Sequence, residues 1–179
     1  MGNEGGYSNN PNDYGGETYA GIAQNFWPSW KGWPIVQSII AQHPANLNAA
    51  LQSNAALQTE VEAFYKANFW DVLDLDNLTC QQTANQLFDI GVNMGTGIAA
   101  RFIQQGINNI KPNTVTVDGA VGPKTIAAAN AANNEALYNQ IIQLRRTRYM
   151  QIIAANPSQA VFEHSWMSRI TPFNPQLQA

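Results

Sequence analysis

Five glycines fall within eighteen residues near the start of this 179-residue chain, in EGGYSNNPNDYGGETYAG at 4–21. Each glycine costs a helix interior about 1 kcal/mol relative to alanine. That density excludes a helix and predicts loops, turns and short strands over residues 1–25. YSNN and ETYAGI are predicted to pair as a small hairpin, with NPNDYGG as its turn region. Asp13 falls in that turn.

From Pro34 onward the apolar spacing becomes helical. Pro34 suits a first helical position ahead of Ile35, Val36, Ile39 and Ile40. Pro44 is expected to open a second short helix with Leu47 and Leu51. Leu57, Val61, Phe64 and Tyr65 mark a third that ends near Trp70. Thr79 is expected to cap a fourth, with Ala84, Leu87, Phe88 and Gly91 as its stripe. MGTG interrupts that helix, and Thr96 is expected to cap the next, through Ile98, Phe102 and Ile103. Asp118-Gly119 signals a turn before a helix beginning at Pro123. A long helix is predicted over 135–155 and a last one over 159–169. The fold class is therefore mainly α, in the α+β sense, with one small N-terminal β-hairpin. No internal repeat or linker separates parts of the chain.

Hydrophobic residues make up 45% of the chain and charged residues 12%, which suits a folded protein. A net charge of −3 gives no electrostatic match to nucleic acid or an anionic membrane. An uncharged polymer such as a glycan remains, for which aromatics and amides do the recognition. Cys80 is alone, so neither an intrachain disulfide nor a cysteine-based zinc site is expected; it reads as a small core or surface residue. His43 and His164 lack metal-ligand spacing, and no glycine-rich phosphate loop precedes a lysine. No metal or organic cofactor is expected. No apolar run approaches the length of a membrane span. MGNEGGYSNN lacks the charged and apolar regions of a signal peptide. If the target lies outside the cytoplasm, something else must deliver the chain.

Glycoside hydrolysis usually takes two carboxyl groups in different environments. One stays protonated to give a proton to the leaving oxygen; the other stays ionised. Glu4 and Asp13 fit that division, because burial raises a carboxyl pKa whereas a polar turn keeps one charged. The hydroxyl of Thr18 both donates and accepts, and so suits holding a water. The glycines would leave room for a polymer against the backbone. Tyr7, Tyr14, Tyr19, Trp27 and Trp30 offer flat faces to sugar rings, or core packing. Two other readings stay open: Glu4 and Asp13 as solvated loop residues, and Glu17 as the second carboxylate. The arginines 145, 146 and 148 read as a solvated face or as partners for acids on a neighbouring helix.

EGGYSNNPNDYGGETYAGIA resembles the signature of the secretion-activating N-acetylmuramidases, glycoside hydrolase family 108. The matching positions are Glu4, Gly5, Gly6, Tyr7, Asn9, Pro11, Asp13, Gly15, Gly16, Thr18, Gly21 and Ile22. YKANFWDVLDLDNL is similar to the family's aromatic-Trp-Asp segment. LFDIGVNMGTGIAARFIQQGIN resembles its central helix and a helix of phage lysozymes, and VDGAVGPKTIAAAN resembles the peptidoglycan-binding half usually fused to such hydrolases.

The resemblance implies a lysozyme-like enzyme, often of phage or prophage origin, that cuts the β-1,4 bond between N-acetylmuramic acid and N-acetylglucosamine. Its partner is bacterial peptidoglycan, reached in the periplasm or outside through a holin or other export. Glu4 takes the place of the catalytic acid. Asp13, nine residues later, matches the phage-lysozyme Asp; Thr18, fourteen later, falls one short of the corresponding Thr. Substrate contacts are expected at Tyr7, Tyr19, Gly21 and Trp30. Asn93, in VNMG, is expected either to contact substrate or to brace the hairpin. Asp89 is expected in a helix-to-loop hydrogen bond, and Asp118-Gly119 as a turn. The expected organisation is a catalytic half at 1–78 and a helical peptidoglycan-binding-like half at 79–179, packed together as a monomer or weak dimer. Members of the family carry a helix before Glu-Gly-Gly-Tyr, where this chain has Met1, Gly2 and Asn3. The corresponding expectation is weak activity, or a non-catalytic binding or assembly role.

Overall fold

The computed structural model describes residues 6–10 and 14–177. The chain divides into two compact units, 1–67 and 68–179. The architecture is mainly α with a small N-terminal hairpin, as the glycine distribution and apolar spacing predict.

In the first unit, Ser8 and Thr18 form an antiparallel bridge in which each backbone N–H donates to the other's carbonyl at 2.9 Å. This joins YSNN to ETY as expected. A tighter hairpin follows. β1 (Thr18–Tyr19) pairs with β2 (Ile22–Ala23), with Tyr19 opposite Ile22. The two-residue turn is Ala20-Gly21, with φ of 50° and 78°. Positive φ at both central residues matches the right-handed twist of a short hairpin. Three helices carry the rest of the unit's core: α1 (Gly32–Ile40), α2 (Leu47–Ser53) and α3 (Ala55–Tyr65). Tyr19, Ile22, Trp30, Trp33, Val36, Leu51, Leu57 and Phe64 are buried among them.

Helix starts differ from expectation where a side chain finds a better partner. α1 begins two residues before Pro34, which sits in the first turn, where a missing N–H costs nothing. α2 is capped by Asn46, whose Oδ1 accepts from Ala49 N at 3.0 Å, and not opened by Pro44.

A π-helical turn, Lys66–Trp70, follows α3 and runs across the division between the units; the second unit contains α4 (Gln81–Met94), α5 (Thr96–Ile110), α6 (Pro123–Ala131), α7 (Asn134–Ala155) and α8 (Glu163–Ser168). Its core draws on α4, α5 and α7, through Leu87, Ile90, Ile103, Ile107, Leu137 and Ile141. Thr79 does not cap α4. Its N–H and hydroxyl both reach Asn130 Oδ1, at 2.9 and 3.2 Å, and Cys80, which is buried, takes the cap position. Thr96 is the first residue of α5, and Gly95 makes the break at φ 95°. The predicted last helix is a 3-10 segment, Pro157–Phe162, followed by α8.

Arg145 is not on a solvated face. It is fully buried, pairs with Asp89 on α4, and donates from Nε to Tyr149 Oη at 3.0 Å. Arg169 donates to the other oxygen of Asp89 at 3.1 Å. Asp89 thus joins α4 to α7 and to the end of α8 by ion pairs, where the sequence suggests only a hydrogen bond to a loop. Arg146 and Arg148 are exposed.

Candidate active site

Glu4 and Asp13 lie outside the described residues. What the structure describes is the chain that follows Glu4, from Gly6 to Asn10, and the chain from Tyr14 onward. The Ser8–Thr18 bridge closes the loop that contains Asp13. The far side of that loop is clipped to Asn25, which donates from its side chain to Tyr14 O at 2.9 Å and from its backbone to Gly15 O at 3.0 Å. Gly16 stands at φ 68°, and a Cβ there would crowd the Asn25 carboxamide at 3.0 Å, so a side chain at this position is disfavoured by both the backbone angle and the contact.

Thr18 is half-buried, and its hydroxyl donates to Gly16 O at 3.3 Å. That leaves the oxygen lone pairs as acceptors. Glu17, the third carboxylate, accepts from Asn9 Nδ2 at 3.3 Å and from Gln37 Nε2 on α1. Tyr7 stands beside it. Burial pushes the Tyr7 phenol above its ordinary value, and the neighbouring Glu17 charge adds to the rise. The Tyr7 N–H donates to Asn48 Oδ1 at 2.8 Å, so the segment just after Glu-Gly-Gly is tied to α2.

The aromatics separate into two groups. Tyr19 is 1% exposed, with its hydroxyl accepting from Gln58 Nε2 at 3.0 Å. Trp30 is 8% exposed, packs edge-on against Trp33 and Phe64, and donates to Glu60 O at 3.2 Å. Neither ring presents a face to a sugar; both are core, which corrects the expectation of substrate contact there. Tyr14, by contrast, is 93% exposed, and Phe26 and Trp27 are also on the surface. Sequence spacing has no signal for that division, because all these aromatics sit in the same loop-rich stretch.

Gly21 is exposed, and a Cβ there would lie 2.8 Å from Tyr65 Oη. Tyr65 donates that hydroxyl proton to Ala20 O at 2.7 Å, and burial raises its pKa above 10.0. Asn93 belongs to α4 in the second unit; it is exposed and donates from Nδ2 to Asp89 O at 2.9 Å, within its own helix. Asp118-Gly119 is a turn, with Gly119 at φ 85°. Buried Gln104 clamps it, donating to Asp118 Oδ1 at 2.8 Å and accepting from Gly119 N at 3.0 Å. The Ala120 N–H and then the Gln104 amide hold the Asp118 carboxyl below its ordinary value.

Residues 1–95, which include this hairpin and the Glu-Gly-Gly-Tyr segment, match the family model described as glycosyl hydrolase 108. The chain belongs to the glycosyl hydrolase 108 family. Downstream of that glycosyl hydrolase 108 region, residues 98–171 match a model described as a predicted peptidoglycan domain. A solved structure, that of Brucella abortus SagA, is similar with a TM-score of 0.59 over 93% of this chain and 82% of its own, at 22% identity. At that identity the likeness bears on fold. No curated protein matches the chain. The two family matches support a glycosidase or binding role on peptidoglycan for this glycosyl hydrolase 108 member. Among the described residues, no helix is long and apolar enough to cross a membrane.

Proposed function

We propose that the chain is an N-acetylmuramidase, hydrolysing the β-1,4 bond between N-acetylmuramic acid and N-acetylglucosamine. The observation that carries this reading is the Ser8–Thr18 bridge, because it ties the strand that follows Glu4 to the strand that follows Asp13. In the sequence the two carboxylates lie nine residues apart, on either side of Ser8.

In this reading Glu4 protonates the glycosidic oxygen as the bond breaks, and the Asp13 carboxylate takes a proton from the attacking water. The Thr18 hydroxyl, its own proton directed to Gly16 O, accepts a hydrogen bond from that water. The reaction is a proton-coupled hydrolysis and takes no cofactor. Inversion at the anomeric carbon is expected, which requires the two carboxyl groups to stand about 6.5–9.5 Å apart. Tyr7 and Gly21 stay in the proposal as substrate-facing residues, whereas Tyr19 and Trp30 belong to the core of the first unit. Asn93, whose Oδ1 has no partner among the described residues, stays in the proposal as an acceptor for substrate. The substrate lies outside the cytoplasmic membrane, so the enzyme acts there.

The test is mass analysis of muropeptides after digestion of purified wall and reduction of the new ends. The unsubstituted chain is expected to yield reduced N-acetylmuramic acid, and Glu4→Gln to lose about 10²–10⁴ in rate. Reduced N-acetylglucosamine at the new ends would assign the other glycosidic bond. Wall binding with no new reducing ends would leave a binding protein.

A further inference from the structure

Beside the Glu-Gly-Gly-Tyr segment the first unit carries a recess of about 300 Å³, lined by Gly6, Asn46, Asn48, Ala49 and Gln52. We propose that this recess is a glycan subsite that takes an uncharged N-acetylated sugar unit. The inference rests on the reading of the chain as a glycosidase and names the substrate chemistry read beside its catalytic segment.

The lining decides the ligand class. Among the described residues it holds no charged residue and no aromatic, but it does hold three carboxamides. An anionic ligand would call for arginine or lysine, and a flat apolar one for aromatic or aliphatic walls. A carboxamide offers an N–H₂ donor and a carbonyl acceptor side by side. An acetamido group presents the complementary pair, and sugar hydroxyls use either.

The amides are not all committed to the fold. Asn46 Oδ1 caps α2, and Asn48 Oδ1 accepts from Tyr7 N. Asn48 Nδ2 and the whole Gln52 amide have no protein partner among the described residues, and both side chains are exposed. Asn48 therefore fixes the Tyr7 backbone with one end of its amide and, as part of the recess lining, leaves the other without a protein partner among the described residues. Gly6 permits this, because a Cβ there would press on the Asn48 carboxamide at 3.2 Å. Gly6 lies two residues after Glu4 in sequence, so a sugar held here would belong to the same glycan as the bond being cut.

The experiment is titration of the Glu4→Gln chain, which leaves the probe intact, with tri-N-acetylchitotriose. Binding is followed through the side-chain amide NMR signals of Asn48 and Gln52 and through Kd. The expected result is movement of both signals. Gln52→Ala and Asn48→Asp, which keeps an oxygen acceptor for Tyr7 N, each weaken binding about three- to tenfold. Ala49→Phe, at an exposed position that fills the recess, abolishes it. Unmoved signals, an unchanged Kd in all three variants, or no binding of the probe would each overturn the proposal. Wall hydrolysis by the unsubstituted chain is scored separately. A chain that hydrolyses wall with these signals unmoved refutes the subsite alone, and one that binds the probe here without hydrolysis refutes the muramidase reading alone.

Discussion

Substituting Gly21 by alanine tests how the hairpin beside the candidate site is held. Gly21 sits at φ 78°, a region that costs an L-residue about 1–2 kcal/mol. The new Cβ would also lie 2.8 Å from Tyr65 Oη, which must move. Moving it breaks the 2.7 Å bond from that hydroxyl to Ala20 O, worth about 1 kcal/mol. Gly21→Ala is therefore expected to cost about 2–3 kcal/mol. Tyr65→Phe alone loses the same hydrogen bond, about 1 kcal/mol. In the double variant the bond can be lost only once and no oxygen remains to clash. Its cost should be about 1 kcal/mol below the sum of the singles, a coupling within the range measured for contacting residues. The assay is urea denaturation followed by tryptophan fluorescence, read as ΔG at a common slope. A Gly21→Ala cost under about 0.5 kcal/mol, or strict additivity, would refute the reasoning.

Two further predictions concern the second unit. Asp89→Ala should cost about 3 kcal/mol, the low end for breaking a buried pair because the Asp89 side chain is a third exposed, since it leaves fully buried Arg145 without its counter-charge. Adding Arg145→Met should recover most of that loss in the same denaturation assay, and no recovery would contradict the assignment. Asp118 is held below its ordinary carboxyl value by the Ala120 N–H and Gln104, so its contribution is present above the unfolded pKa and disappears as pH falls through the lower folded one. Asp118→Asn should flatten the thermal midpoint against pH below pH 3.8, and an unchanged acid limb would count against the turn's role.

Much of the fold is legible in local sequence. The glycines between 4 and 21 exclude a helix, and the Ser8–Thr18 pairing falls where YSNN and ETYAGI predict it. Pro123 at the start of α6 and the extent of α7 follow from capping and apolar spacing. These features report backbone dihedrals and one-sided burial, and both are set by residues a few positions apart. The family signature, from Glu4 to Ile22, is likewise contiguous, so it can be read without coordinates.

Other features were decided only by tertiary packing. Nothing local distinguishes buried Tyr19 and Trp30 from exposed Tyr14, because burial depends on whether α1 and α3 happen to cover a ring. Arg145 looks like its exposed neighbours 146 and 148 until Asp89, fifty-six residues earlier, meets it from α4. Asn48 reads as an ordinary helix-start amide until Tyr7, forty-one positions away, donates its N–H to it. A charge or an amide acquires its role from the partner that desolvates or orients it, and that partner is chosen by the chain's path through space.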